Sequence, residues 1–307
     1  GAELNRYPDG AGRTVKAALA EHFAVPQELG LLLGNGSDEL LELIMLACGG
    51  HGRTLLAPVP TFSMYEILAR LTGTRFVPVP LDPDTLQLDL DATVAAIERE
   101  RPDLVVLARP NNPTGVCYPR ADVEAVLEAT AGLVVIDEAY VEFNEYPPAT
   151  ELLDAYPNLI ILRTLSKAFG LAGLRLGYRM AHEEVVTELM KARLPFMVDR
   201  FSEAVGHTVL RHPDLLNERI EQLSAHTKHL ADALAARADV KTVPTSANFV
   251  LFAPQTKSAN AVQDALSDRG VLVRNMGGYD ALHGYLRVCA GTENENKAFL
   301  DALDAVL

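Results

Sequence analysis

The segment TLSKAFGLAGLRLGY, Thr164 to Tyr178, sets a lysine behind two hydroxyl residues and places an arginine eight positions beyond it. Lys167 offers an amine that can form a Schiff base with an aldehyde, while Thr164, Ser166 and Arg175 offer hydroxyls and a guanidinium suited to a phosphate close by. Pyridoxal phosphate carries both groups. A bare Ser-Lys pair is ordinarily a solvated surface feature, so the weight rests on what else the chain supplies.

Upstream, LVVIDEAYVEF opens with four apolar residues, Leu133 to Ile136, that read as a strand buried on both faces, and it delivers Asp137 at the strand's carboxyl end. Ligands of open α/β sheets bind at that end. A carboxylate there can pair with a protonated pyridine nitrogen and keep the ring an electron sink; the alternative is a cap for the following turn, which holds Glu138 and Tyr140. A second apolar run, Leu104 to Ala108, leads into RPNNPTG, where Pro110, Pro113 and Gly115 enforce a turn. Asn112 in that turn can donate to the cofactor's phenolic oxygen. Arg109 before it reads as a variable position without a role.

Nearer the start, LGNGSDELLELIMLA is a glycine-bearing turn leading into an amphipathic helix with Ser37 or Asp38 at its beginning. Its N–H groups and the helix N-terminus form either a phosphate cradle or a plain helix cap. Phe62, in PTFSMY after the next strand, can stack on a planar ring or serve the core.

Taken in this order, these segments resemble the fold-type I pyridoxal-phosphate enzymes of the aspartate aminotransferase superfamily. With LNRYPDG, SANFVLF and YLRVCAGTENEN added, they are most similar to the histidinol-phosphate aminotransferase family, from about Leu4 to the C-terminus. The resemblance implies an α/β fold: a large, mostly parallel sheet wrapped by helices, plus a smaller α+β C-terminal domain. It implies transamination of histidinol phosphate with 2-oxoglutarate, giving imidazole acetol phosphate and glutamate. Lys167 would hold the cofactor and shuttle a proton, Asp137 would hold the pyridine nitrogen, and Asn112 and Tyr140 would bond the phenolic oxygen. Ser37, Asp38, Thr164, Ser166 and Arg175 would bind the phosphate, with Phe62 on the ring. Tyr7 would reach the cofactor phosphate of a neighbouring subunit in a homodimer. Arg287 would grip the substrate's phosphate and then the carboxylate of 2-oxoglutarate, with Arg274 near that phosphate; a surface ion pair is the alternative for each. Family members usually carry several tens of residues before LNRYP that lie over the active site, and the resemblance implies that this arm is missing here.

The elements that must position these residues show in the pattern. Apolar runs at 54–57, 76–79, 104–108, 133–136 and 159–162 alternate with helical stretches at 38–48, 62–72, 91–100, 120–130 and 148–156, the signature of a parallel sheet with helical crossovers. After Tyr178 a long helical region, broken near Pro195 and Pro213, gives way to strands in FVLFA and VLVRN and to a last helix from Glu293. We divide the chain into a segment at 1–30, a cofactor-binding domain at 31–209 and a small domain at 210–307.

At 307 residues the chain can bury a large core. Its net charge of −14, with 27 Lys and Arg against 41 Asp and Glu, argues against a nucleic-acid partner, whose backbone demands a basic face. A small phosphorylated metabolite needs only a local cluster. No run of eighteen apolar residues appears, so no membrane span is expected. Gly1 is followed by no charged-then-apolar leader, which points away from a secretory signal and suggests a missing native start. Cys48, Cys117 and Cys289 form neither a metal spacing nor a disulfide framework, which fits the cytoplasm. The eight histidines show no metal spacing, and His226 and His229 read as solvated.

Three other functions fit parts of this pattern. A threonine-phosphate decarboxylase shares the fold and a phosphorylated amine, and an aromatic-amino-acid aminotransferase has a ring pocket. A non-catalytic effector-binding domain would carry a basic helix-turn-helix segment, and none is found here.

Overall fold

The computed structural model of the chain describes residues 5–23, 25–26 and 29–307. Leu4, where the family resemblance starts, lies outside them.

Seven strands build the main sheet: β1 (Leu29–Asn35), β2 (Thr54–Val59), β3 (Arg75–Pro80), β4 (Leu104–Ala108), β5 (Leu133–Asp137), β6 (Leu159–Thr164) and β7 (Leu176–His182), in the order β1-β7-β6-β5-β4-β2-β3. Strands β2 to β6 are mutually parallel, and β7 runs antiparallel between β6 and β1. The run LVVLA of β4 shows why a central strand is apolar throughout. Val105 and Leu107 point into the core that holds Val126 and Leu127, while Leu104, Val106 and Ala108 point into the core that holds Leu40 and Leu68. Alternate residues thus face opposite layers, and both layers are covered by helices.

The covering helices are α1 (Arg13–His22), α2 (Gly36–Cys48), α3 (Met64–Thr72), α4 (Leu90–Glu100), α5 (Arg120–Ala129), α6 (Glu183–Met190) and α7 (Arg200–Leu210). The helix expected over 148–156 is replaced by a short 3-10 turn at Ala149–Leu152. Pro147, Pro148 and Pro157 bracket the segment, and a proline cannot donate the backbone bond that a longer helix needs.

The smaller sheet is antiparallel, with β8 (Val240–Thr242), β9 (Phe249–Pro254), β10 (Arg274–Asn275) and β11 (Leu286–Cys289) in the order β10-β11-β9-β8. Helices α8 (Pro213–Ala235), α9 (Ala259–Ser267) and α10 (Glu293–Val306) accompany it. The VLVRN strand is reduced to the two residues of β10. Proline in the first turn of α8 costs no hydrogen bond, so Pro213 opens this helix. Leu216 of α8 packs in the core of the large sheet and Leu230 and Leu234 in that of the small one, so one helix ties the two together. His226, expected to be solvated, is half-buried, and its Nδ1 lies 3.0 Å from the Gly291 carbonyl. No helix among the described residues is long and apolar enough to cross a membrane.

Candidate active site

The carboxyl ends of β4, β5 and β6 open on one cleft, and the N-terminus of α2 closes its side. Lys167, Asp137, Asn112, Tyr140, Phe62 and Arg175 all line it, together with Ser37, Asp38, Thr164 and Ser166. Residues as far apart in sequence as Ser37 and Arg175 therefore share one site.

Lys167 sits in the turn after β6, in a loop anchored on both sides. Leu165 N–H donates to the Leu176 carbonyl at 3.0 Å, Leu171 N–H to the Leu165 carbonyl at 3.1 Å, and Gly170 N–H to the Lys167 carbonyl at 3.0 Å. The flanking Leu165, Ala168 and Phe169 are buried. Only the half-buried lysine and Ser166 turn from the core, and the lysine Nζ lies 5.6 Å from the centre of the Tyr140 ring.

The cradle beside Lys167 depends on two glycines. Gly36 has φ +80°, and its N–H donates to the Arg175 carbonyl at 2.9 Å. A Cβ on Gly36 would stand 2.5 Å from Arg175 Nη2, and one on Gly177 would stand 2.4 Å from the Gly36 carbonyl carbon and from the Ser37 nitrogen. Side chains at these positions would fill the space and push α2 off β7. The Arg175 guanidinium is held by Asp38 Oδ2 at 3.2 Å, and Thr164 Oγ1 donates to Ser166 Oγ at 2.9 Å. Hydroxyls, a guanidinium and a helix N-terminus thus converge, a donor set that fits a phosphate. Asp38 lies at the same helix start, with its carboxylate, which would repel a phosphate, turned to Arg175.

Asp137 lies almost fully buried at the end of β5. Its Oδ2 accepts from the Tyr65 hydroxyl at 2.8 Å and its Oδ1 from the Ala139 N–H at 3.2 Å. Burial pushes its carboxyl up to about 6, against the pull of the Tyr65 hydrogen bond. A carboxylate this poorly solvated gains strongly from a cationic partner, so the site fits a protonated pyridine nitrogen as well as a phosphate.

In the RPNNPTG turn the two asparagines divide the work. Asn111 is spent on the fold: its amide nitrogen donates to the Pro60 carbonyl at 2.9 Å and to Thr114 Oγ1 at 2.8 Å, and its oxygen accepts from Thr61. Asn112 faces the cleft, and its oxygen accepts a hydrogen bond from Arg287 Nη1. Arg109 corrects the expectation of a variable position without a role. It is 2% exposed, and its guanidinium donates to the Tyr118 carbonyl at 2.8 Å and the Pro147 carbonyl at 3.0 Å, pinning the turn to the chain beyond β5.

Arg287 reaches this turn from β11, with its guanidinium 4.8 Å from the centre of the Phe249 ring, which packs edge-on against Tyr140. Arg274 is directly opposite Arg287 in the β10–β11 pairing, so the two side chains share one face. Arg274 is exposed and borders an adjoining groove with Arg287 and Cys289, outside the cleft of Lys167. Tyr7 is also outside that cleft: it is 78% exposed and stacks on Phe196 with ring centres 4.6 Å apart. Sequence reasoning missed Tyr65 and Phe249. Tyr65 was signalled by its place in PTFSMY, in the first turn of α3 and three residues after Phe62.

A lysine, a buried carboxylate and a phosphate cradle at the carboxyl ends of a mostly parallel sheet define a pyridoxal-phosphate-dependent transferase of fold type I. The chain belongs to the class I and II aminotransferases, whose family model matches residues 1–303. Among its relatives, histidinol-phosphate aminotransferase 2 of Bordetella parapertussis is 46% identical over 306 residues, covering 99% of this chain and 83% of that protein. The histidinol-phosphate aminotransferase of Sinorhizobium meliloti, solved in complex with pyridoxal-5'-phosphate, superposes with a TM-score of 0.90 at 30% identity, covering 99% of this chain and 83% of that one. The enzyme from Clostridium acetobutylicum gives a TM-score of 0.91 at 25% identity, covering 99% and 91%.

Proposed function

We propose that this enzyme moves the amino group of histidinol phosphate to 2-oxoglutarate, yielding imidazole acetol phosphate and glutamate. The observation that carries the substrate assignment is the pair Arg287 and Arg274, opposite each other on one sheet face with Arg287 touching the Asn112 turn. The named relatives support the same substrate.

Pyridoxal phosphate, held by Lys167 until the substrate's amine displaces the lysine, would supply an electron-poor ring able to take up the electron pair left when the substrate's Cα proton departs. Lys167, its amine freed by that exchange, would be the base that takes the proton from Cα and returns it at the cofactor's C4′. Asp137 keeps a proton on the ring nitrogen. Ser37, Thr164, Ser166 and Arg175 hold the phosphate, Asp38 steadies Arg175, and Phe62 covers the ring. The Asn112 oxygen is engaged by Arg287, which leaves its amide nitrogen to donate to the phenolic oxygen beside Tyr140. Arg287 takes the phosphate of the amine in one half-reaction and a carboxylate of 2-oxoglutarate in the other, since both oxyanions match its forked donors; Arg274 stands by the phosphate.

The enzyme works as a homodimer in which Tyr7 completes the partner's phosphate site; its exposure and its place outside its own cleft support this role. Leu46, Ile67 and Leu71 on α2 and α3 leave apolar surface for a second copy. We place the enzyme in the cytoplasm, where its three free cysteines stay reduced.

The substrate assignment is tested with Arg287→Lys, which keeps the charge and loses the fork. Single-turnover rates with histidinol phosphate and with 2-oxoglutarate should fall together, each corresponding to about 1 to 3 kcal/mol. Unchanged kinetics with both would remove Arg287 from the site.

A further inference from the structure

We infer that Tyr65 is a positioning residue for the transamination, holding the Asp137 carboxylate charged and aimed so that its remaining lone pairs face the cofactor. The inference rests on the reading of Asp137 as the partner of the ring nitrogen. Nothing in that reading calls for Tyr65, whose ring lies wholly inside the core of the sheet.

The geometry is specific. Of the two Asp137 oxygens, Oδ1 meets a backbone N–H at 3.2 Å and Oδ2 meets the Tyr65 hydroxyl at 2.8 Å. The hydroxyl is therefore the shorter contact and the one that a side-chain change can remove. Tyr65 starts from α3, which carries Phe62 just before it, and the two rings meet edge-on with centres 5.7 Å apart. One tyrosine thus braces both the carboxylate proposed to hold the ring nitrogen and the aromatic proposed to cover the ring.

The electrostatics point the same way. Burial is the largest influence on Asp137 and favours its neutral form, and the Asp38 carboxylate on α2 pushes in the same direction. The Tyr65 hydrogen bond opposes this most strongly, followed by the Ala139 N–H and then by the Lys167 ammonium from the turn after β6. Tyr140, beside Asp137, and Tyr118, which acts on Tyr65, are also titratable, and both phenols are pushed up chiefly by burial. Tyr65's own phenol is pushed well above its ordinary value by burial and by Asp137, so it stays a donor throughout the working range. A neutral Asp137 could not stabilise a cationic ring nitrogen, so losing the Tyr65 proton should weaken the site from the acidic side.

Tyr65→Phe removes a single oxygen and keeps the ring packed against Phe62. In the apoprotein, the Asp137 carboxyl carbon followed by NMR should titrate roughly one pH unit higher than in the wild type. Starting from a value of about 6, that shift lowers the apparent affinity for pyridoxal phosphate by roughly fivefold at pH 6 and hardly at all at pH 8. In an Asp137→Asn background the same change should leave the affinity within about twofold, because the hydroxyl then has no charge to hold. An independent check needs no change at residue 65: the Cζ signal of Tyr65 in labelled wild-type protein should move as Asp137 titrates. If Asp137 titrates identically in the wild type and Tyr65→Phe, or if affinity falls equally at all pH values and in the Asp137→Asn background, Tyr65 is only a packing residue and the inference fails. If Asp137 titrates higher in Tyr65→Phe and affinity at pH 6 does not fall, the assignment of Asp137 to the ring nitrogen fails and the inference goes with it.

Discussion

Lys167→Ala should give a folded protein that binds pyridoxal phosphate reversibly and turns over slower by roughly 10³-fold or more, because one side chain is proposed to supply both the covalent attachment and the proton transfer. The fold should survive, since the loop around Lys167 is held by backbone bonds and by Leu165, Ala168 and Phe169 rather than by the amine. Borohydride reduction of the wild type followed by peptide mapping should place the pyridoxyl group on Lys167; any other lysine would refute the assignment. The same variant reports on Tyr7. Lys167→Ala and Tyr7→Phe homodimers should each be impaired at both sites. Subunit exchange between them creates one site with an intact Lys167 and an intact Tyr7 from the partner chain, so activity should rise on mixing. No recovery, with exchange confirmed by mass measurement, would mean that Tyr7 does not act across the dimer.

Asp137→Asn should slow catalysis on the order of 10²- to 10³-fold while making the apoprotein more stable at pH 8. The carboxyl is raised from 3.8 to about 6 by burial, so the folded state holds this proton more tightly than the unfolded chain does. Its contribution to stability is greatest below pH 4, is lost as pH rises through 6, and is a constant cost above that. An amide carries no such cost. The gain at pH 8 should be on the order of 2 to 3 kcal/mol and should vanish near pH 4, as urea unfolding of the two apoproteins would show. A variant that is equally stable at both pH values, or less stable at pH 8, would contradict the picture of a strained charge reserved for a cationic ring.

The parts of this site that were legible in the sequence are those in which chemistry sits at the end of an apolar run. Asp137 follows four apolar residues, and Asn112 follows a complete buried strand, so strand and functional residue are read together. Strands β1 and β7 are not legible in the pattern because glycines interrupt both apolar runs. In β7 the interruption is functional: Gly177 lets the start of α2 approach closely enough to make the cradle. Arg109 looked free to vary because its partners are carbonyls, which any residue possesses, at Tyr118 and at Pro147 far along the chain. Tyr65 was hidden for the opposite reason. Its ring belongs to the core, as an aromatic in a helix start usually does, and only its hydroxyl reaches the site.

The most direct test is a single half-reaction. Purified enzyme carrying its cofactor, mixed with histidinol phosphate and no keto acid, should lose the absorption band of the Lys167-bound cofactor and release one equivalent of imidazole acetol phosphate per site. Phenylalanine should discharge the band far more slowly. Discharge by phenylalanine at an equal or greater rate, or no discharge by histidinol phosphate, would contradict the proposed function.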